Sequence, residues 1–361
     1  MTVPTLVEQA NRSTGTATIT VSQNGHGDCL TVGEALTLAE ETRRLRRDAR
    51  LPITILIHPG TYRERVTITL PYVTLEGVDA ESTVIALGLG ARMPADDGMP
   101  LGTFRTYTML VDADHVTLRD LSIVNDAGDG REVGQAVALY ADGDALLVED
   151  CRLLGHQDTL FTGPLPPKEL QPGGFIGPKQ FAPRRVGRQR YRRCLIAGDV
   201  DFIFGGATAL FEDCEIRSLD RGEEVNGYVT AASTPEGRTY GYVFRGCRFT
   251  SDGCAPGSVY LGRPWRDFAR VALVDCELGE HIRPEGWWDW NKPHARVESR
   301  FSGMELHGPG FHPGSWPDWT LPDDPAGPSW YSSRHVLGVS EEESESREDE
   351  AGKTESGHGL A

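Results

Sequence analysis

One short phrase recurs along this 361-residue chain, and it restricts the fold more than any other feature. Each copy alternates apolar and polar residues around a cysteine: LLVEDCRL at Cys151, RYRRCLI at Cys194, LFEDCEI at Cys214, VFRGCRF at Cys247 and LVDCEL at Cys276. Alternation with a period of two is typical of a half-buried strand. Leu121 in VTLRDLSI fits the same frame, and successive copies lie 20 to 43 residues apart. This spacing predicts a coil of repeated strands joined by loops of variable length.

A second set of short apolar segments alternates with these phrases, at 135–140, 158–161, 201–204, 228–231 and 259–261. The order of strand, Gly-rich turn, strand and loop predicts an all-β fold, a right-handed parallel β-helix. In such a solenoid each coil buries its apolar face against its neighbours. The cysteines are then expected as an inward ladder of small apolar side chains rather than as disulfides. There are seven of them, an odd number, so complete pairing within the chain is impossible.

The ends of the coil and one insertion define the expected domain organisation. Residues 31–50 have a helix-forming composition and predict an N-terminal helix that caps the open first coil. The β-helix is expected over 15–335, after an N-terminal extension at 1–14. Residues 336–361 are acidic and contain few large apolar residues, which predicts a disordered tail. The segment 163–187 is rich in Pro and Gly and is expected to be a surface loop inserted between coils.

The charge of the chain excludes several classes of partner. Its net charge of −17 argues against nucleic acid, because phosphate binding needs clustered Lys and Arg. No run approaches the roughly 18 apolar residues of a membrane span, so no membrane partner is expected. The first residues lack the basic start and apolar stretch of a secretion signal, so the chain as written is expected in the cytosol, unless an export signal has been removed. We expect a monomer.

Two aspartates occupy equivalent places on successive coils. Asp158 lies seven residues after Cys151, and Asp201 lies seven residues after Cys194. Stacked strands are about 4.8 Å apart, so both carboxylates should reach one small substrate group. At about 5 Å and an effective dielectric near 20, two like charges repel by roughly 3 kcal/mol, or about two pKa units. One carboxyl should therefore hold its proton near neutral pH beside an ionised partner.

Other side chains could complete a site around this pair. A guanidinium from Arg263 held against Asp201 would keep that carboxylate charged. Gln135 opens the segment QAVALY in the place that Asp158 holds in DTLF, and Gln157 adjoins Asp158. Two side-chain amides can donate to a developing negative oxygen without titrating, which suits an oxyanion hole.

Aromatic residues and a third aspartate leave alternatives open. Phe202, Trp265 and Tyr228 supply flat apolar surface that could pack against sugar faces or belong to the core. Asp199 is a rival nucleophile, although its position after Gly198 favours the start of a turn. The paired aspartates themselves have a structural alternative, as carboxylates that cap turns.

At these residues the chain resembles the pectin methylesterases, the pectinesterase family of carbohydrate esterases, over roughly 15–310. Five blocks in order carry the resemblance: GTYRE at 60–64, QAVAL at 135–139, QDTL at 157–160, DFIFG at 201–205 and LGRPW at 261–265. The stretches VTAAST at 229–234 and GYVFRGCRF at 241–249 look more like bacterial than plant members.

The resemblance implies a substrate and a role for each residue. The substrate would be methyl-esterified galacturonate in pectin, a polysaccharide, and the products methanol and a more acidic polymer. Asp201 would be the nucleophile, Asp158 the acid and base, Gln135 and Gln157 the oxyanion hole, and Arg263 the anchor of Asp201. Phe202, Trp265 and Trp288 would line the sugar cleft.

No metal or cofactor is expected, because none of the ten histidines stands in a zinc-like pattern such as HExxH. There is no GxSxG nucleophile elbow, which argues against a serine esterase. The alternatives are an acyl ester or thioester hydrolase on the same scaffold, or a β-helical sugar-binding protein without catalysis. A polysaccharide lyase would need calcium carboxylates and a basic catalyst instead of this set of residues.

Overall fold

A computed structural model describes residues 15–96 and 98–338, and in these ranges the strands form three parallel sheets wound into one solenoid. Sheet A comprises β1 Ala17–Val21, β2 Ile53–Ile57, β5 Val73–Gly77, β8 Thr117–Arg119, β11 Leu146–Glu149, β14 Arg188–Arg192, β17 Thr208–Glu212, β20 Tyr242–Arg245, β23 Arg270–Val274 and β25 Arg300–Met304. Sheet B comprises β3 Gly60–Tyr62, β6 Thr83–Leu87, β9 Ser122–Asn125, β12 Arg152–Leu154, β15 Leu195–Gly198, β18 Glu215–Leu219, β21 Arg248–Asp252 and β24 Glu277–Leu278. Sheet C comprises β4 Val66–Ile68, β7 Met109–Val111, β10 Leu139–Ala141, β13 Leu160–Thr162, β16 Val200–Gly205, β19 Gly227–Ala232 and β22 Val259–Pro264. Successive coils supply one strand to each sheet in turn, which confirms the predicted parallel β-helix.

Helices are short except at the N-terminal end. They are α1 Val32–Arg46, α2 Gly130–Val133, α3 Pro293–Glu298 and α4 Ser333–Leu337, with 3₁₀ turns at Thr103–Arg105, Pro313–Ser315 and Pro328–Tyr331. Helix α1 begins with a capping box, in which the Thr31 hydroxyl accepts from the Glu34 N–H and the Glu34 carboxylate accepts from the Thr31 N–H. Its buried residues, Val32 among them, join the core beside β1 and β2, as predicted for a cap. None of the helices in the described ranges is long and apolar enough to span a membrane.

The repeated phrase turns a corner between sheets A and B. The residue before each ladder position has a left-handed backbone, as in Asp150 with φ 51°, Asp213 with φ 55° and Gly246 with φ 60°. Asp, Asn and Gly tolerate this conformation best, which explains the recurrent DC and GC pairs. The next side chain points inward, and the cysteines there are buried free thiols. The predicted inward ladder is therefore confirmed.

The C-terminal boundary differs from the predicted one. Val336 and Leu337 belong to α4 and pack with Tyr331 against outer-face residues of sheet A such as Leu210. Both are 5% exposed, so a disordered tail beginning at 336 is wrong for 336–338, and the packed body extends at least to that point. The rest of the predicted tail and the predicted extension at 1–14 lie outside the described residues.

The insertion at 163–187 is not wholly a surface loop. It has no strand or helix, but Leu165 and Phe175 are 1% and 6% exposed and pack with Phe104. The Lys179 ammonium pairs with the Asp112 carboxylate. The insertion is thus held against the outer face of sheet C, where the aspartates expected at the site also lie.

The corner conformation makes a testable prediction at Asp275, whose φ is 51° and whose exposed side chain makes no hydrogen bond within the described ranges. Asp275→Val should lower the free energy of unfolding by about 1–2 kcal/mol, because a β-branched residue is strongly disfavoured in the left-handed region. Asp275→Gly should leave it nearly unchanged. Denaturant unfolding of the three proteins measures this difference, and equal stabilities for the Val and Gly variants would contradict it.

Candidate active site

The backbone holds Asp158 and Asp201 side by side. The Asp158 N–H donates to the carbonyl of Val200 at 3.1 Å, and two residues later Leu160 pairs with Ile203. In a parallel ladder that pattern places Asp158 opposite Asp201, as the cysteine spacing predicts. Both aspartates have a left-handed backbone, with φ of 69° and 51°.

Arg263 clamps one member of this pair. Its Nε donates to Oδ1 of Asp201 at 2.8 Å and its Nη2 donates to Oδ2 at 2.6 Å. The guanidinium lies between two aromatic rings, 3.8 Å from the ring centre of Tyr228 and 3.8 Å from that of Trp290. A planar fork that is stacked on both faces has little freedom to leave the carboxylate.

Burial and charge act differently on the two carboxyl groups, which are 7% and 8% exposed. Burial raises the pKa of Asp158 well above its ordinary value, and the neighbouring charge of Asp201 raises it further. Burial also raises the pKa of Asp201, but there the Arg263 guanidinium opposes the shift both by its charge and by its hydrogen bonds. Asp201 is therefore the member that ionises first, and Asp158 is the member that keeps its proton.

The two glutamines lie near the pair of aspartates. Gln135 is on the coil before that of Asp158, and Gln157 is on the same coil as Asp158. Both are half-buried, and neither side-chain amide hydrogen bonds to another residue of the described ranges, so both can donate to a ligand. The Ala136 N–H donates to the carbonyl of Gln157 at 3.0 Å. This bond places Gln135 beside Gln157, and strand β10 begins only at Leu139. The prediction that Gln135 occupies the position of Asp158 at the start of a strand is therefore wrong, although the backbone of both glutamines lies close to Asp158.

The aromatic residues divide between core and surface. Phe202 is fully buried in the interior of the coil, so its predicted place in a sugar cleft is wrong. The ladder between β16 and β19 is irregular between Val200 and Ile203, which turns Phe204 to the outer face instead. There the ring centre of Phe204 lies 5.7 Å from that of Trp265.

The other predicted aromatics do lie beside the arginine or on the outer face. Tyr228 and Trp288 are half-buried and stack on each other with ring centres 5.4 Å apart, and Trp265 is also half-buried. These three rings remain candidates for the sugar surface. Trp290, which was not predicted, completes the sandwich around Arg263. It lies in a WWDWNK segment whose density of Trp was the only signal of such a role.

Asp199 has a structural partner that spacing alone did not reveal. It lies at the bend between β15 and β16, as the turn alternative expected, and is 1% exposed. Its Oδ1 accepts from the Val200 N–H at 2.7 Å, and its Oδ2 lies 2.9 Å from Nδ1 of His156. Hydrogen bonding to Asp199 raises the pKa of His156. Asp199 therefore holds the bend and His156, whereas Asp201 is the aspartate that Arg263 clamps beside Asp158, and Asp201 stays the candidate nucleophile.

The part of the chain that the structure describes contains no group of three or more His, Cys, Asp or Glu side chains arranged to hold a metal ion. The chemistry available at the site is that of two carboxyl groups, two amides and one guanidinium. Such a set can attack a carbonyl, stabilise an oxyanion and transfer a proton.

Fold and site together define a class, a parallel β-helix that presents a pair of buried aspartates on one outer sheet. Within that class, the chain belongs to the pectinesterase family: the family model described as Pectinesterase matches residues 18–164 and 184–320. The unmatched gap between these ranges falls inside the insertion at 163–187.

Individual proteins agree with this assignment. The chain is 31% identical to Pectinesterase 31 of Arabidopsis thaliana, over 86% of this chain and 90% of that protein. It is 30% identical to the Arabidopsis thaliana Probable pectinesterase/pectinesterase inhibitor 23, over 84% of this chain. The solved structure of pectin methylesterase PemA from Erwinia chrysanthemi matches with a TM-score of 0.71 and 27% identity, covering 89% of this chain and 97% of PemA. This structural match bears out the right-handed winding of the β-helix.

The chain spans about half of the length of the first curated relatives that it matches. For Probable pectinesterase/pectinesterase inhibitor 23 the share is 49%. The chain spans nearly all of PemA.

Arg263 gives a prediction with a definite sign. Loss of a neighbouring cation raises a carboxylate pKa, so Asp201 should need more alkaline solution to ionise when Arg263 is replaced. Arg263→Met should lower kcat strongly and move the acidic limb of the pH profile to higher pH. Arg263→Lys, which keeps a charge but loses the planar fork, should be intermediate.

The measurement is kcat/KM for ester hydrolysis against pH for the wild type and both variants. A Met profile that drops in amplitude while its acidic limb stays in place would assign Arg263 to substrate contact instead of to the charge of Asp201.

Proposed function

We propose that this protein hydrolyses the methyl esters of galacturonate units in pectin, releasing methanol and leaving a more acidic polymer. The observation that carries the proposal is the two-bond clamp of Arg263 on Asp201, with Asp158 aligned one coil away. Membership of the pectinesterase family supports the substrate. An acyl ester or thioester hydrolase would use the same chemistry, but no feature of the described residues favours it.

In the first half of the reaction, ionised Asp201 attacks the carbonyl carbon of the ester. The amides of Gln135 and Gln157 donate to the oxygen that becomes negative. Protonated Asp158 then gives its proton to the departing methoxide, so that methanol leaves. The C–O bond of the ester has broken, and the acyl group is joined to Asp201 as an anhydride.

The second half restores the enzyme. Asp158, now ionised, takes a proton from a water molecule, and the resulting hydroxide attacks the acyl carbon of the anhydride. The bond to Asp201 breaks, so Asp201 leaves as a carboxylate and Asp158 is again protonated. The product is a uronic acid, which loses its proton to solvent. The ionisation order of the two aspartates meets the requirement of both halves.

Tyr228, Trp265 and Trp288 are the rings that we assign to the sugar-binding surface. The stretches VTAAST at 229–234 and GYVFRGCRF at 241–249 support grouping the chain with bacterial members of the family. We further propose that it acts as a monomer.

The aspartates provide the test. Asp201→Asn and Asp158→Asn should each reduce methanol release from methyl-esterified pectin by at least ~10² to 10⁴, the usual cost of losing a nucleophile or an acid/base. Asp275→Asn, at an exposed corner of a later coil of the same β-helix, is the matched control and should retain wild-type activity.

Unfolding midpoints of the three variants separate loss of chemistry from loss of fold. Near-wild-type turnover by either active-site variant would show that its assigned role is wrong. Hydrolysis of a simple acyl ester or thioester by the wild type, with no methanol from pectin, would favour the other hydrolase activity.

A further inference from the structure

A histidine and an aspartate form a second pair on the same two coils as Asp158 and Asp201. His156 lies two residues before Asp158, and Asp199 lies two residues before Asp201. Nδ1 of the His156 ring is 2.9 Å from Oδ2 of Asp199. Two side-chain pairs therefore join the same two segments of neighbouring coils, and the mechanism proposed above uses only one of them.

Backbone hydrogen bonds fix the two segments to each other at the second pair. The Asp199 N–H donates to the His156 carbonyl at 3.2 Å, and the Thr159 hydroxyl donates to the same oxygen at 3.1 Å. A Cβ atom at Gly198 would come within 2.6 Å of that carbonyl, so the segments approach too closely there for any residue but glycine. The position of the second pair relative to the paired aspartates is therefore set by the backbone.

The charge of the second pair depends on pH. Asp199 is buried, and each of its oxygens is within hydrogen-bonding distance of a nitrogen, that of the Val200 N–H or that of the His156 ring. The His156 side chain is 37% exposed, so it can exchange its proton with solvent. Hydrogen bonding to Asp199 raises the pKa of His156. The pair is neutral while the imidazole is protonated, and it carries one negative charge after the imidazole loses that proton.

Other charged groups face the second pair from neighbouring elements. Asp129, at the start of α2, also raises the pKa of His156, and Asp129 is itself paired with Arg131 at 2.6 Å. The titratable and charged groups that interact with Asp199 or with its neighbour Asp201 are Asp158, Arg263, Lys292 and Cys254.

Lys292 is the member of this set that titrates closest to neutral pH from above. Burial and the charge of Arg266 lower its pKa to about 8. Lys292 therefore keeps its charge on the acidic side of the pH profile. A change in the acidic limb reports on His156 and Asp199 rather than on Lys292.

The charge of the second pair acts on both paired aspartates. Burial is the largest influence that raises the pKa of Asp158 and of Asp201, and the charge of Asp199 raises both further. A protonated His156 opposes this effect, because it neutralises Asp199. At acid pH the neutral pair leaves Asp201 able to ionise. At alkaline pH the negative pair helps Asp158 to keep its proton.

We propose that His156 and Asp199 are positioning residues for the paired aspartates, and that the proton on His156 widens the pH range in which Asp201 is ionised while Asp158 stays protonated. Both residues act through the aspartates and not on the ester. The inference rests on the proposed function, which requires these two protonation states together.

The first test is the pH profile of kcat/KM for methanol release from methyl-esterified pectin. His156→Asn keeps a donor near the position of Nδ1 but cannot take up a proton, so the pair stays negative. Its acidic limb should move to higher pH by about one unit. Asp199→Asn removes the negative charge, and its acidic limb should move to lower pH by a similar amount. The double variant has a neutral pair, which should return the acidic limb to the wild-type position.

The alkaline limb gives an independent sign. There His156 has already lost its proton in the wild type, so His156→Asn should leave this limb in place. Asp199→Asn should move it to lower pH, because Asp158 loses a neighbouring negative charge. His26→Asn, at the exposed turn after β1, is the control for the loss of a histidine and should leave both limbs unchanged.

A purely structural role would lower the amplitude of the profile in both single variants and leave the acidic limb fixed, and that result would overturn the proposal. Displacement of the acidic limb in the same direction by both variants would overturn it as well. Because His156→Asn keeps the hydrogen bond, it decides the question by itself if Asp199→Asn does not fold.

The second test needs no turnover. NMR titration of protein labelled with ¹³C at the Asp carboxyl carbons follows the paired aspartates in the wild type, both single variants and His26→Asn. The carboxyl of the site that ionises first should titrate about one pH unit higher in His156→Asn and about one unit lower in Asp199→Asn. Unchanged titrations would refute the role of the second pair. If the shifts appear but the wild type releases no methanol from pectin, the proposed function fails and the effect of His156 and Asp199 on the aspartates stands.

Discussion

Parallel strands of adjacent coils lie about 4.8 Å apart, and this spacing forces the carboxyl groups of Asp158 and Asp201 together although their charges repel. The hydrogen bond from the Asp158 N–H to the Val200 carbonyl fixes the alignment. Neither side chain can relieve the repulsion by moving into solvent, because both are more than nine-tenths buried. The repulsion is relieved because the two carboxyl groups differ in protonation: one keeps its proton and the other is ionised. Every catalytic role proposed for the site depends on that asymmetry.

Arg263 determines the direction of the asymmetry. Its two hydrogen bonds go only to Asp201, and Tyr228 and Trp290 hold its guanidinium in the plane of that carboxylate. The β-helix supplies these groups from three successive strands of sheet C, namely β16, β19 and β22, and from the loop after β22. The site therefore exists only when successive coils stack on one another. A single coil contains one member of the pair, and the charge that orders the pair lies two coils further on.

Much of this arrangement could be predicted from the sequence because it repeats. The equal interval from Cys151 to Asp158 and from Cys194 to Asp201 predicts the alignment, and the corner residues with positive φ explain why the cysteine interval is reliable. Phe202 was misplaced because it was grouped with its neighbour Asp201, although alternation along a strand turns adjacent residues to opposite faces; the irregular ladder of β16 then brings Phe204 to the outer face. Trp290, the His156–Asp199 pair and the packed insertion depend on contacts between distant segments. Apart from the density of Trp in the WWDWNK segment, no local pattern carries that information.

The most direct measurement is the protonation state of each aspartate, read by NMR titration of protein labelled with ¹³C at the Asp carboxyl carbons. The wild type, Asp158→Asn and Asp201→Asn are compared. The account predicts that the wild type near neutral pH has one protonated and one ionised carboxyl at the site. The protonated resonance should be absent from Asp158→Asn, and it should titrate at lower pH in Asp201→Asn, where the neighbouring negative charge is gone. If the protonated resonance instead disappears in Asp201→Asn, Arg263 does not keep the nucleophile charged and the roles of the two aspartates are reversed.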